Sequence, residues 1–168
     1  IIANWKMNPI TSKEANTLLK NILKDFKNIK NTDVVFCPPF IYLESLKKIV
    51  KKYSLGSQDL FFEDIGAYTG EVSYKMLENL GVKYSIIEHS ERRALGEDNI
   101  FINKKLKALS KSSIIPILCI GEKDRDANHE YVNFLQNQIL ESTEGLNKKV
   151  LEKLIIAYEP VWAIGKDA

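Results

Sequence analysis

Alternation constrains this chain more than any other feature. Short apolar, β-rich runs at residues 1–5, 34–37, 54–58, 84–88, 114–119 and 154–158 are separated by stretches with helical periodicity. Ala15, Leu18, Leu19, Ile22, Leu23 and Phe26 fall on one helical face, and Thr11 and Glu14 ahead of them have capping-box spacing. Pro38-Pro39 stops the second run, and Leu43, Leu46, Ile49 and Val50 mark the next helix. Residues 73–80 read as a helix ended by Gly81. Further helices are expected over 101–111 and 130–140, the latter grouping Val132, Leu135 and Ile139. Strict βαβα order predicts a parallel sheet, and near-continuous apolar strands predict cover on both faces. The pattern alone leaves a doubly wound sheet and a (β/α) barrel both open. No GxGxxG or GxxxxGK[ST] follows any strand, so a nucleotide-binding reading has no support.

Composition removes other classes. A length of 168 residues suits one domain, and 24 basic against 22 acidic residues leave a net charge of only +2. That balance provides no strong field for nucleic acid or membrane, so neither is expected as a partner. Lys47, Lys48, Lys51 and Lys52 interleave with apolar residues at helical spacing and read as a solvated helix face. The longest apolar run, 114–120, contains Pro116 and is far shorter than the roughly 20 residues of a membrane helix. No basic start followed by an apolar core marks a signal peptide. Cys37 and Cys119 form no CxxC pair and each closes an apolar run, which predicts buried, reduced thiols in a cytoplasmic protein. His89 and His129 are the two histidines, without HExxH spacing, so no metal site is expected. The chain starts inside a strand-like run without Met and stops at Gly165-Lys166-Asp167-Ala168 without a finished element. It therefore reads as a segment of something longer.

Chemistry-bearing residues gather where the strands end. Asn4 and Lys6 close the first, His89 with Ser90 and Glu91 the fourth, Glu122 follows the fifth, and Glu159 ends the sixth. In parallel α/β folds the carboxyl ends of the strands form the rim that carries active sites. Glu, His and Lys are also the set needed to abstract a proton beside a carbonyl: a base, a polarising donor and a stabilising cation. Residue types alone do not specify the reaction.

Longer motifs narrow it. Ala3-Asn4-Trp5-Lys6-Met7-Asn8, Gly66-Ala67-Tyr68-Thr69-Gly70-Glu71-Val72-Ser73, His89-Ser90-Glu91-Arg92-Arg93, Cys119-Ile120-Gly121-Glu122 and Ala157-Tyr158-Glu159-Pro160-Val161-Trp162-Ala163-Ile164-Gly165 occur in this order. In order and spacing they resemble the triosephosphate isomerases, over essentially the whole chain. The resemblance implies a (β/α)₈ TIM barrel, with six of its strands here. It also implies interconversion of dihydroxyacetone phosphate and glyceraldehyde 3-phosphate through an enediolate, in glycolysis and gluconeogenesis, without cofactor or metal. It makes Glu159 the base, His89 the neutral electrophile, Lys6 the fixed positive charge, Asn4 a substrate contact, and Glu91 a supporting residue near Lys6. Pro160 to Gly165 would form a lid that excludes water, with Trp162 anchoring it. The loop at 66–73, Thr69 near its tip, would dock into a second subunit and make a homodimer. Glu122, Arg92 and Arg93 read as structural ion-pair partners, and His129 as exposed helix-start chemistry. Rival readings are another phosphosugar isomerase or lyase, which would not need His89, and a non-catalytic scaffold that binds a partner.

The resemblance has three departures. Glu88 stands where the family usually has glycine, and a carboxylate there is expected to crowd the strand end or raise the pKa of His89. Lys166 directly follows Gly165, so either the lid is about two residues shorter than the family's or its register differs. A barrel takes about 250 residues, so residues 1–168 read as a single, C-terminally truncated domain. The last two β/α units, with the serine and Gly-Gly phosphate donors, would lie outside it. Made alone, such a piece is expected to be inactive and poorly soluble, with open apolar edges at its first and sixth strands.

Overall fold

The computed structural model describes residues 1–26 and 29–164. Among these residues six strands alternate with seven α-helices, the α/β alternation of a partial (β/α)₈ barrel. The chain divides into two compact units, Ile1–Ser85 and Ile86–Ala168.

In the first unit β1 (Ile2–Asn4), β2 (Val35–Cys37), β3 (Ser54–Ser57) and β4 (Tyr84–Ile87) follow one another in parallel, and β4 runs on into the second unit. Ala3 lies opposite Phe36, Phe36 opposite Leu55, and Gly56 opposite Tyr84. The expected capping box opens α1 (Ser12–Asp25): Glu14 N donates to Thr11 Oγ1 at 3.2 Å, and Thr11 N to Glu14 Oε2 at 3.0 Å. The predicted apolar face of α1 is only partly covered. Ala15 and Leu19, one turn apart, are fully buried, whereas Leu18, on the outer flank of that seam, stays 42% exposed. Leu43, Leu46 and Val50 of α2 (Leu43–Val50) are buried, and Lys47 and Lys48 within it and Lys51 and Lys52 just after it are exposed, as their spacing predicts. The Ser73 side chain caps α3 (Tyr74–Asn79), and Gly81 follows it at φ +82°, a left-handed value that suits glycine.

The second unit holds α4 (Ser90–Ala94), α5 (Asn99–Ala108), β5 (Ile115–Ile120), α6 (Glu130–Thr143), α7 (Lys148–Lys153) and β6 (Ile155–Tyr158). Helices α4 and α7 were not legible from periodicity, being one to two turns long. The second is set by Asn147, whose Oδ1 accepts from Val150 N at 3.1 Å. Helix α5 starts earlier than its apolar pattern because Asp98 caps it, and it tightens into a 3₁₀ turn at Leu109–Lys111. Pro116 is tolerated in β5 because the register with β6 begins one residue later, at Ile117 opposite Ile155. Strands β2 and β5 are buried on both faces as predicted, but β1 and β6 are not: Ile2, Ile155 and Ile156 remain 37–42% exposed. Lys105 is buried in α5 against Glu97 at 2.7 Å. The side chain of Asn103 closes the C-terminal end of α6 by donating to Ser142 O and Glu144 O.

Gly56 shows how tightly the first unit is packed. A Cβ there would lie 2.5 Å from Cys37 Sγ and 2.9 Å from Val35 Cγ1, so strands β2 and β3 approach as only glycine permits. Gly56→Ala is expected to cost about 1–3 kcal/mol through overpacking, read as a lower urea midpoint with unchanged m-value.

Candidate active site

At the end of β1 the Asn4 side chain turns back and accepts from Lys6 N at 2.9 Å. This local bond bends the chain, and Lys6 adopts φ +53°, a left-handed conformation costing a non-glycine residue roughly 1–2 kcal/mol. Gln58, just past β3, offsets that cost. Its Nε2 donates to Lys6 O and to Cys37 O, each at 2.8 Å, and fixes the strained backbone to the neighbouring strand. Asn4 and Lys6 are thus neighbours held at one strand end in the first unit. Gln58 escaped the sequence reading, although a polar amide directly after a strand was its available signal.

In the second unit His89 follows β4 and caps α4. Its Nδ1 accepts from Glu91 N at 3.2 Å, while its carbonyl accepts from Arg92 N and Arg93 N. A ring nitrogen that accepts an N–H carries no proton, so the imidazole proton lies on Nε2. That nitrogen is 3.5 Å from Glu159 Oε2. The His89 ring is 8% exposed and the Glu159 side chain 40%, so a nearly buried donor faces a carboxylate open to solvent. The backbone of Glu159 is held by its N–H to Ile120 O at 2.8 Å. Glu91 Oε2 lies 3.6 Å from His89 Nδ1 and its side chain is largely exposed. His89, Glu91 and Glu159 are therefore brought together.

Glu88 departs from the expectation of a carboxylate beside the imidazole. Its backbone takes φ +69°, a left-handed value that accounts for a glycine in the family, and its side chain is buried away in a polar cluster. Arg93 Nε donates to Glu88 Oε1 at 2.8 Å and Ser142 Oγ to Oε2 at 2.9 Å, with Gln138 adding a further hydrogen bond. Burial pushes this carboxyl above the usual range, against the pull of Arg93, Ser142 and Gln138. Burial likewise pushes the Cys119 thiol up to about 12, helped by the charges of Glu159 and Glu88. Both cysteines are buried and free, as their positions predicted.

Glu122 does more than form an ion pair. Its Oε1 accepts from Arg125 Nε at 3.0 Å, Tyr158 OH at 3.0 Å and Trp162 Nε1 at 2.9 Å, and its carbonyl accepts from Val161 N. One buried carboxylate thus fixes the segment that follows Glu159. Arg92 pairs with Glu97 and Arg93 with Glu88, so the three ion-pair residues read from sequence each have a different partner. Trp162 is anchored as expected, while Gly165 and Lys166 lie outside the described residues. His129 is an exposed start to α6 without a side-chain capping bond. Among the described residues no group of three or more His, Cys, Asp or Glu is arranged to hold a metal ion, and no helix is long and apolar enough to cross a membrane.

The family model described as triosephosphate isomerase matches residues 1–168. The triosephosphate isomerase of Dehalococcoides mccartyi strain CBDB1 is 44% identical over 169 residues, covering 98% of this chain and 65% of that protein. That of Dictyoglomus thermophilum is 44% identical over 172 residues, covering 98% and 68%. That of Clostridium botulinum strain Loch Maree is 46% identical over 170 residues, covering 98% and 67%. The chain spans about two-thirds of the length of these relatives.

The Glu122 cluster sets a pH dependence. Burial opposes its charge, but hydrogen bonds from Trp162, its own backbone, Arg125 and Tyr158 outweigh burial and hold the carboxyl below its ordinary value. A depressed folded pKa stabilises above the unfolded value of about 4.3, and that contribution is lost as pH falls through the folded value. In a Trp5→Phe background, Trp162 emission is expected to hold steady down to about pH 4 and to red-shift below it. Glu122→Gln should abolish that dependence, and a shift already complete near pH 6 would contradict the assignment.

Proposed function

The chain belongs to the triosephosphate isomerase family, and on that footing we propose that the protein interconverts dihydroxyacetone phosphate and glyceraldehyde 3-phosphate in glycolysis and gluconeogenesis. The observation that carries the reading is the pairing of His89 and Glu159. A backbone N–H occupies Nδ1, so Nε2 must present the proton, 3.5 Å from a carboxylate. In this mechanism Glu159 removes a proton from the carbon beside the substrate carbonyl, while His89 Nε2–H hydrogen-bonds the carbonyl oxygen. The electron pair moves onto that oxygen and an enediolate forms. The proton of the adjacent hydroxyl then passes to that oxygen by way of His89 Nε2, and as the carbonyl re-forms on the carbon that carried the hydroxyl, Glu159 returns its proton to the carbon of the original carbonyl and regains its charge. Glu91 serves through its backbone N–H, which orients the imidazole. Lys6 supplies positive charge to the substrate and Asn4 contacts it, consistent with the effort spent on holding both at the end of β1. Trp162, tied to Glu122, would keep the following segment ready to exclude water from the enediolate. These side chains suffice for the proton transfers without a cofactor.

A homodimer through loop 66–73 is part of the proposal. The loop is closed at its base by Phe61 N to Val72 O at 2.8 Å, while Ile65 is 82% exposed and Tyr68 45%. Apolar side chains on an anchored, projecting loop suit burial in a second copy. The buried free thiols support a reducing, cytoplasmic setting.

Two measurements test this. In deuterated water the intact protein should interconvert the two triose phosphates with solvent deuterium appearing beside the carbonyl. Glu159→Gln should cut kcat by roughly 100- to 10,000-fold. Undiminished turnover in that variant, or turnover of pentose phosphates instead, would overturn the reading. Light scattering at micromolar concentration should give twice the chain mass, and an active monomer would remove the dimer from it.

A further inference from the structure

Helix α6 buries two side chains, Gln138 and Ser142, and both are polar. They stand four residues apart, on one helical face, and both reach the Glu88 carboxylate. An ordinary α/β helix docks through an apolar stripe. Here Leu135 and Ile139 are only half-buried, and the fully buried positions of the helix are matched to one buried acid, a residue the isomerase chemistry does not use.

The same cluster touches the backbone behind each of the two reacting side chains. Glu88 directly precedes His89 and is bound by Arg93, on the helix whose first N–H groups hold His89. Gln138 Oε1 also accepts from Gly121 N at 3.1 Å. Gly121 in turn lies flat against Glu159: a Cβ there would sit 1.9 Å from the Glu159 carbonyl oxygen. One amide side chain therefore links Glu88, next to His89, with Gly121, next to Glu159. Arg93 extends the network outward to Asn99, and Asn99 to Glu141.

We propose that Glu88 and Gln138 are positioning residues, a polar brace that fixes the spacing and orientation of His89 Nε2 against Glu159. Glycine at position 88 would relieve the left-handed backbone but leave Gln138, Ser142 and Arg93 without their shared acceptor. Glutamate accepts the conformational cost in return for a fixed strand end. The inference rests on the isomerase reading for its kinetic consequence, but not for its structural one.

The test combines steady-state kinetics with ¹⁵N NMR of the histidine rings in the intact protein. Glu88→Ala and Gln138→Leu are each expected to lower kcat by roughly 10- to 100-fold with KM little changed, because misplacement affects the transition state more than ground-state binding. The double variant should be no worse than the harsher single one, as expected for residues acting as a unit. His89 ring signals should move while those of His129 stay in place. Glu88→Gln, which keeps an acceptor oxygen in the same place, should recover kcat to within about threefold of the parent. If Glu88→Ala does not fold, Ser142→Ala removes one donor, suits a helix, and carries the same readouts. Variants that melt earlier but keep both kcat and the His89 signals would overturn the brace. If the unaltered protein fails to interconvert triose phosphates, the isomerase reading falls instead, and the His89 signals alone decide the brace.

Discussion

Parallel pairing is the constraint from which the rest follows. Two parallel strands cannot be joined by a tight turn, so each strand is followed by a crossover that packs back on the sheet. Within each unit the strands consequently end on one side, and the residues just beyond them become neighbours without being neighbours in sequence. Asn4, Lys6 and Gln58 meet in this way in the first unit, and His89, Gly121 and Glu159 in the second. The side chains at those ends are held by backbone groups at element termini: Glu91 N in the first turn of α4 donates to His89, and Glu159 N donates to Ile120 O at the end of β5.

The site accepts conformational cost where it positions functional groups. Lys6 and Glu88 both adopt left-handed backbone angles that disfavour a side chain, and both are held by buried or half-buried hydrogen bonds from elsewhere in the fold. Such strain persists only where surrounding contacts over-determine it. Gln58 performs that service for Lys6, and the pair Gln138 and Ser142 for Glu88. Gln58, Gln138 and Ser142 are uncharged, whereas Arg93, which also holds Glu88, forms an ion pair with it.

Much of this was legible in sequence, and the exceptions have physical reasons. Thr11 with Glu14 announced α1, and Leu43, Leu46 and Val50 announced α2, because capping and burial are local and periodic. The motifs around His89 and Glu159 located a pair of side chains that the structure brings within 3.5 Å of each other. Helices α4 and α7 were missed because one to two turns repeat the period too few times to stand out. The destination of Glu88 was missed because adjacency in sequence says nothing of where a side chain points once φ turns positive. Gln58 and Gln138 stood out no more than any other amide, since their role is defined by partners 21 to 52 and 17 residues away respectively.

The polar docking face of α6 also bears on how such a helix can change over time. An apolar seam tolerates many substitutions of similar volume, whereas a seam that reads one carboxylate tolerates few. Replacing Gln138 or Ser142 strands the acid, and replacing the acid strands two buried donors. Positions 88, 138 and 142 are therefore bound to a shared mutational path. A helix transplanted from a relative with glycine before its histidine would arrive with the wrong complement, however well its shape fitted.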